Sequence, residues 1–230
     1  MTQKCSEPLR MVVLISGRGS NLKAFIENIA NGSLQVKLVG VISNRHDAAG
    51  LEFSHTARIP VEVVDHSVVR DRSEFDRLLL KALEKFRPDL IVLAGFMHVL
   101  DDGLVNKYSG KILNVHPSLL PLYRGLDTYR RALEAGDSYH GTSIHFVTCE
   151  LDGGPVVLQV RIAIGSNDNE SSLASRIQAC EHIVYSMAVN WFAEGRLKYT
   201  DEQAILDGKP LLEPVIMNEH DILDGVCEPA

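Results

Sequence analysis

Five runs, at residues 12–15, 37–42, 61–64, 90–94 and 111–115, are each four to six residues long and rich in Val, Ile and Leu. Such near-continuous hydrophobicity suits strands buried on both faces. Strands of this kind alternating with amphipathic stretches build βα units around a parallel sheet. The expected fold is therefore α/β, a doubly wound, mostly parallel sheet with helices on both faces. One helix is read from Phe75, Leu78, Leu79, Ala82, Leu83 and Phe86, with Ser73 as its cap and Pro88 as its stop. A longer helix carries the apolar stripe Leu173, Ile177, Cys180, Val184, Met187 and Trp191. Residues 141–148 and 156–164 are rich in β-branched side chains and read as two strands, joined by a tight turn at Leu151-Asp152-Gly153-Gly154-Pro155.

This pattern divides the chain into an N-terminal extension (1–10), one α/β domain (11–212) and a tail (213–230). The tail holds Glu213, Glu219, Asp221, Asp224 and Glu228 and lacks periodicity, so partial disorder is expected there. The net charge of −7, from 23 Lys and Arg against 30 Asp and Glu, has the wrong sign for binding nucleic acid or an anionic membrane. Small molecules are the expected partners. Cys5, Cys149, Cys180 and Cys227 form no CxxC pair, which fits reduced thiols, and the apolar run Met11-Val12-Val13-Leu14-Ile15 is too short for a signal peptide or a membrane span. A cytoplasmic location is expected.

Three constellations carry chemistry. Ser16-Gly17-Arg18-Gly19-Ser20-Asn21-Leu22 stands where the first strand should give way to a helix. Glycines there let backbone N–H groups turn toward a ligand, and a helix N-terminus favours an anion, so this is a candidate phosphate site, the alternative being a tight βα turn with no ligand. It is neither GxGxxG nor a Walker loop. In Asn114-Val115-His116-Pro117, residues two apart on a strand point the same way, and Pro117 keeps His116 extended. Both side chains should then project together at the carboxyl end of a strand, where α/β sheets bind ligands. Asp152 is ordinary turn chemistry on local grounds, or else a carboxylate that orients a distant histidine. His140 and His145 are separated by an odd number, face opposite sides of one strand, and are not expected to share a metal.

Joined together, SGRGSNL, LAGFM, NVHPSLLP, HGTSIHFV and LDGGP resemble the folate-dependent formyltransferases, specifically the branch that acts on glycinamide ribonucleotide. The resemblance covers most of residues 11–211. It implies a Rossmann-like formyltransferase fold and an enzyme of purine biosynthesis that moves a formyl group from 10-formyltetrahydrofolate to the amine of glycinamide ribonucleotide. No metal and no covalent nucleophile are implied, and the expected assembly is a monomer or weak homodimer. By the same resemblance, Asn114 and His116 stabilise the tetrahedral intermediate and Asp152 tunes His116. Gly19, Ser20 and Asn21 hold the phosphate, while Gln178 and Glu181 face the ribose and glycinamide end. The folate site is formed by Arg72, Met97, His98, Val99, Leu100 and Asn114, together with Thr148, Cys149, Glu150, Leu151 and Asp152.

Two positions depart from the family pattern. His98 stands where an Arg is common, so an ionic contact to folate is not carried over there. Pro121-Leu122-Tyr123-Arg124-Gly125 replaces the usual PxYPG. The alternatives are a formyltetrahydrofolate deformylase or a methionyl-tRNA formyltransferase, and, outside enzymology, a phosphate-binding sensor module on the same fold.

Overall fold

The computed structural model describes residues 7–69 and 71–223. Its first half is a run of βα units: β1 (Leu9–Ile15), α1 (Ser20–Ala30), β2 (Val36–Ser43), α2 (Leu51–Thr56), β3 (Val61–Val63), α3 (Arg72–Phe86), β4 (Leu90–Leu93), α4 (Asp102–Lys107) and β5 (Ile112–His116). The second half opens with α5 (Thr128–Ala135), the strands β6 (Tyr139–Phe146) and β7 (Val156–Ala163), and the long α6 (Glu170–Ala193). It ends with β8 (Leu197–Thr200), β9 (Gln203–Leu206), β10 (Lys209–Pro210), β11 (Val215–Asn218) and α7 (Glu219–Leu223).

Eight strands form one sheet in the order β11-β7-β6-β5-β4-β1-β2-β3, and β8, β9 and β10 form a small antiparallel sheet. In the large sheet only β6 runs against its neighbours, so the expected doubly wound, mostly parallel architecture holds. The chain winds outward from β1 to β3, then returns to place β4 on the other side of β1. The carboxyl ends of β1 and β4 thus flank the switch point at which such sheets open a crevice.

Strand β1 shows how the sequence builds two cores. Met11, Val13 and Ile15 pack with Leu22 and Phe25 of α1 and with Ile177, Val184 and Tyr185 of α6. Val12 and Leu14 point the other way, to Phe75, Leu79 and Leu83 of α3 and Leu104 and Val105 of α4. These five side chains, Met11 to Ile15, are fully buried, and each such burial contributes roughly 1.5–3 kcal/mol.

Three expectations are corrected. The cap of α3 is Asp71, whose side chain accepts from the Glu74 N–H, whereas Ser73 lies inside the first turn. Strand β6 ends at Phe146, two residues before the expected 148, so the connection to β7 is a longer excursion, 147–155, whose turn is closed by Gly153 N–H to Glu150 O at 3.1 Å. The tail, for which partial disorder is expected, carries regular structure as far as residue 223. There β11 pairs in parallel with β7, and Met217 and Ile222 are buried in the core. Cys5, Cys227, Asp224, Glu228 and most of the 1–10 extension lie outside the described residues.

Candidate active site

The loop between β1 and α1 is shaped by two glycines in contact. Gly19 takes φ +70° as the N-cap of α1, where no side chain caps the first-turn N–H groups. Those N–H donors are free to face an anion. Behind Gly19 stands Gly50: a Cβ on Gly19 would lie 2.7 Å from the Gly50 Cα, and the Gly50 N–H donates to Gly17 O at 2.9 Å. Gly50 comes from the turn before α2, remote in sequence, and sequence reasoning missed it.

Asn114 and His116 share one face of β5, as their spacing predicted, since Leu113 and Val115 belong to the core on the α6 face. Beyond Phe146 the chain folds back over the Asn114 face, bringing Asp152 Oδ2 to 3.5 Å from His116 Nδ1. Asp152 adopts φ +47°, and its Oδ2 also accepts the Gly125 N–H at 2.9 Å. On the other side of the imidazole, His116 Nε2–H donates to Tyr123 O at 3.0 Å. The three residues assigned to catalysis therefore converge.

A fourth joins them. His145 lies opposite Asn114 in the β5–β6 register; its Nδ1–H donates to Phe146 O at 2.9 Å, and its Nε2 accepts from Asn114 Nδ2 at 3.1 Å. Its Nε2 is also 3.8 Å from Asp152 Oδ1. Burial pushes His145 down to about 4, which keeps the ring neutral and able to accept. The odd spacing from His140 correctly separated those two rings, but cross-strand register, which places His145 beside Asn114, is not visible in local sequence.

The opposite face of the same strand pair carries a second cluster. Glu181 on α6 is 6% exposed; its Oε2 accepts from Asn21 Nδ2 at 3.2 Å, and its Oε1 lies 3.1 Å from Thr142 Oγ1. Thr142 Oγ1 also donates to His116 O at 3.1 Å. Burial pushes the Glu181 carboxyl up to about 7, opposed by its hydrogen bonds to Asn21 and Thr142. Gln178 is half-buried one turn earlier on α6.

The residues assigned to folate lie on the α3 and α4 side. Met97 and Val99 are exposed and Leu100 is buried; the segment is tied to the phosphate loop by Met97 N–H to Ser16 Oγ, 2.7 Å. Arg72 donates to Val99 O at 3.3 Å, and His98 Nε2–H donates to Asp76 at 2.8 Å. Thr148, Cys149, Glu150 and Leu151 sit on the excursion that carries Asp152, where Glu150 pairs with Arg124. No group of three or more His, Cys, Asp or Glu suited to a metal occurs among the described residues, and no helix among them is long and apolar enough to cross a membrane.

A sequence model described as formyl transferase matches residues 9–189. The chain belongs to the formyl transferase family. Within that family it is 46% identical over 203 residues to phosphoribosylglycinamide formyltransferase of Escherichia coli K12, covering 88% of this chain and 96% of the relative. It is 38% identical over 189 residues to the human trifunctional purine biosynthetic protein adenosine-3, covering 82% of this chain and 19% of that protein. A solved phosphoribosylglycinamide formyltransferase from Coxiella burnetii superposes with a TM-score of 0.84 at 47% identity, covering 89% of this chain and 96% of that one. A formyltetrahydrofolate deformylase from Pseudomonas syringae shares the fold, with a TM-score of 0.82 at 23% identity, over 87% of this chain and 66% of that one.

Proposed function

We propose that this formyl transferase moves the formyl group of 10-formyltetrahydrofolate to the amine of glycinamide ribonucleotide. The observation that carries the reading is the convergence of Asn114, His116 and Asp152 at the end of β5, between the uncapped start of α1 on one face and the 97–100 segment on the other. High-coverage relatives bear the name of that activity.

In this reading the ribonucleotide phosphate sits against the N–H groups of Gly19, Ser20 and Asn21, with its ribose and glycinamide end toward Gln178 and Glu181. The folate lies along Arg72 and residues 97–100, with residues 148–152 closing over it. The amine nitrogen attacks the formyl carbon, and the carbonyl oxygen takes up negative charge. Asn114 has one amide hydrogen committed to His145 and a second available for that oxygen. The His116 N–H, held by Tyr123 O in the free protein, is the other donor for which the oxygen competes. Fixed donors of this kind lower a barrier by about 2.7–4 kcal/mol each. Collapse of the intermediate breaks the bond from the formyl carbon to folate N10. The proton lost by the amine passes to that nitrogen through water oriented by Asp152.

A spectrophotometric assay of 10-formyltetrahydrofolate with and without glycinamide ribonucleotide tests the proposal. Tetrahydrofolate should form only when the ribonucleotide is present. Equal consumption without it would mean that water is the acceptor and that the activity is that of a deformylase.

A further inference from the structure

The apolar stripe of α3 contains a charge. Phe75, Leu79, Ala82 and Leu83 are buried as the helical period requires, and Asp76 is buried with them at 4% exposed. A carboxylate in that position costs several kcal/mol unless it is paired, and the fold alone would be served by an apolar residue. Its pairs are specific. Oδ1 accepts from His98 Nε2–H at 2.8 Å, and Oδ2 lies 3.8 Å from Nε of Arg72, one turn earlier on the same helix. The His98 ring is held between Phe75, with centroids 4.3 Å apart, and Phe96. The Arg72 side chain is 66% exposed yet anchored twice, by Asp76 and by its bond to Val99 O.

One buried carboxylate thus ties the start of α3 to the 97–100 segment and sets the direction of an exposed guanidinium beside Met97 and Val99. We propose that Asp76 is a positioning residue of the folate wall: through His98 and Arg72 it sets the affinity for the carboxylate-bearing tail of the co-substrate. This rests on the reading above that a formyl-folate is bound here. The chemistry matches on both counts. The exposed apolar surface of Met97 and Val99 suits a flat ring, and a fixed guanidinium suits a carboxylate, which it meets with two parallel N–H groups. Asp76 makes no contact with Asn114, His116 or Asp152, so its effect should fall on binding and not on the chemical step.

The test uses Asp76→Asn, which keeps the shape and removes the charge, and His98→Ala, which removes the other end of the strut without altering the helix. Both are assayed by initial rates with each substrate varied. The expected result is a KM for 10-formyltetrahydrofolate raised at least fivefold, with kcat and the KM for the ribonucleotide within twofold of the parent. The assay is repeated with a 10-formyl co-substrate that lacks the glutamate tail. There Asp76→Asn should match the parent, and His98→Ala, whose own side chain belongs to the folate wall, should show a smaller rise than with the full co-substrate, a signature that loosened packing would not give. If Asp76→Asn does not fold, His98→Ala carries the same comparison. An unchanged folate KM, or an equal rise with the tail-less co-substrate, overturns the proposal. Failure of the parent protein to use any formyl-folate would instead overturn the reading on which it rests.

Discussion

His145 Nε2 lies 3.1 Å from Asn114 Nδ2, and with its Nδ1–H committed to Phe146 O it can only accept there. The contact decides which end of the Asn114 amide is which. With the nitrogen held by His145, its second hydrogen is left for a developing oxyanion. Without His145 the amide is free to turn its oxygen toward that charge. His145→Leu should therefore lower kcat by about 10²-fold, the scale of one lost oxyanion donor, with smaller changes in both KM values. Steady-state kinetics check this, and a kcat within threefold of the parent would remove His145 from the orientation of Asn114.

Asp152 faces two histidines and the Gly125 N–H with one carboxylate. Asp152→Asn keeps the size of the side chain and can still accept from Gly125. It should fold normally by circular dichroism and lose at least tenfold in turnover, a floor set below the roughly 10²–10⁴-fold typical of a group assisting proton transfer. Near-normal turnover would assign Asp152 to loop structure alone.

Gly50 has φ −63°, so alanine there incurs no backbone strain. Its Cβ, however, would stand 2.9 Å from the Gly19 Cα and 3.2 Å from Gly17 O. Gly50→Ala should push the phosphate loop outward and raise the KM for the ribonucleotide several-fold, while the KM for folate stays put. An unchanged ribonucleotide KM would mean that the two loops can part without cost.

Glu181 links pH to stability. Its carboxyl is raised from an ordinary 4.5 to about 7 by burial, so the folded state favours the protonated form. That contribution is fully present below about pH 4.5 and is lost as pH rises through about 7, a span worth about 3 kcal/mol. His140 and His145, both lowered to about 4 by burial, act oppositely: stability rises as pH climbs from about 4 toward their ordinary 6.5. The difference between Glu181→Gln and the parent isolates the carboxylate. The variant should gain on the parent between pH 5 and 8 in urea melts of the ligand-free protein, and a difference independent of pH would contradict the assignment.

The positions of the parallel strands were legible because burial on both faces writes itself into short Val, Ile and Leu runs such as 12–15 and 90–94, whereas their order in the sheet was not. Strand β11 was not, since Val215–Asn218 is four residues beside an acidic stretch and becomes a strand only because β7 offers it an edge. The same distinction applies at the site. Asn114 and His116 declared themselves by a local spacing of two. His145, Gly50 and Asp76 act through partners 31, 31 and 22 residues away, set by cross-strand register, loop apposition and helix docking. Asp71 in place of Ser73 is a smaller instance: two capping residues stood close together, and backbone geometry chose between them.

The two proposed ligand walls lie on opposite sides of one sheet, with Glu181 and Thr142 behind β5 and β6 and Asn114, His116 and His145 in front. Two hydrogen bonds link them, Thr142 Oγ1 to the His116 backbone carbonyl and Met97 N–H to Ser16 Oγ. A partition of this kind makes the choice of acceptor and the choice of donor separable traits. Substitutions around Asn21 and Glu181 can retune which amine is accepted while the one-carbon donor and its activating groups are inherited unchanged, so one scaffold can serve several acceptors without rebuilding the step they have in common.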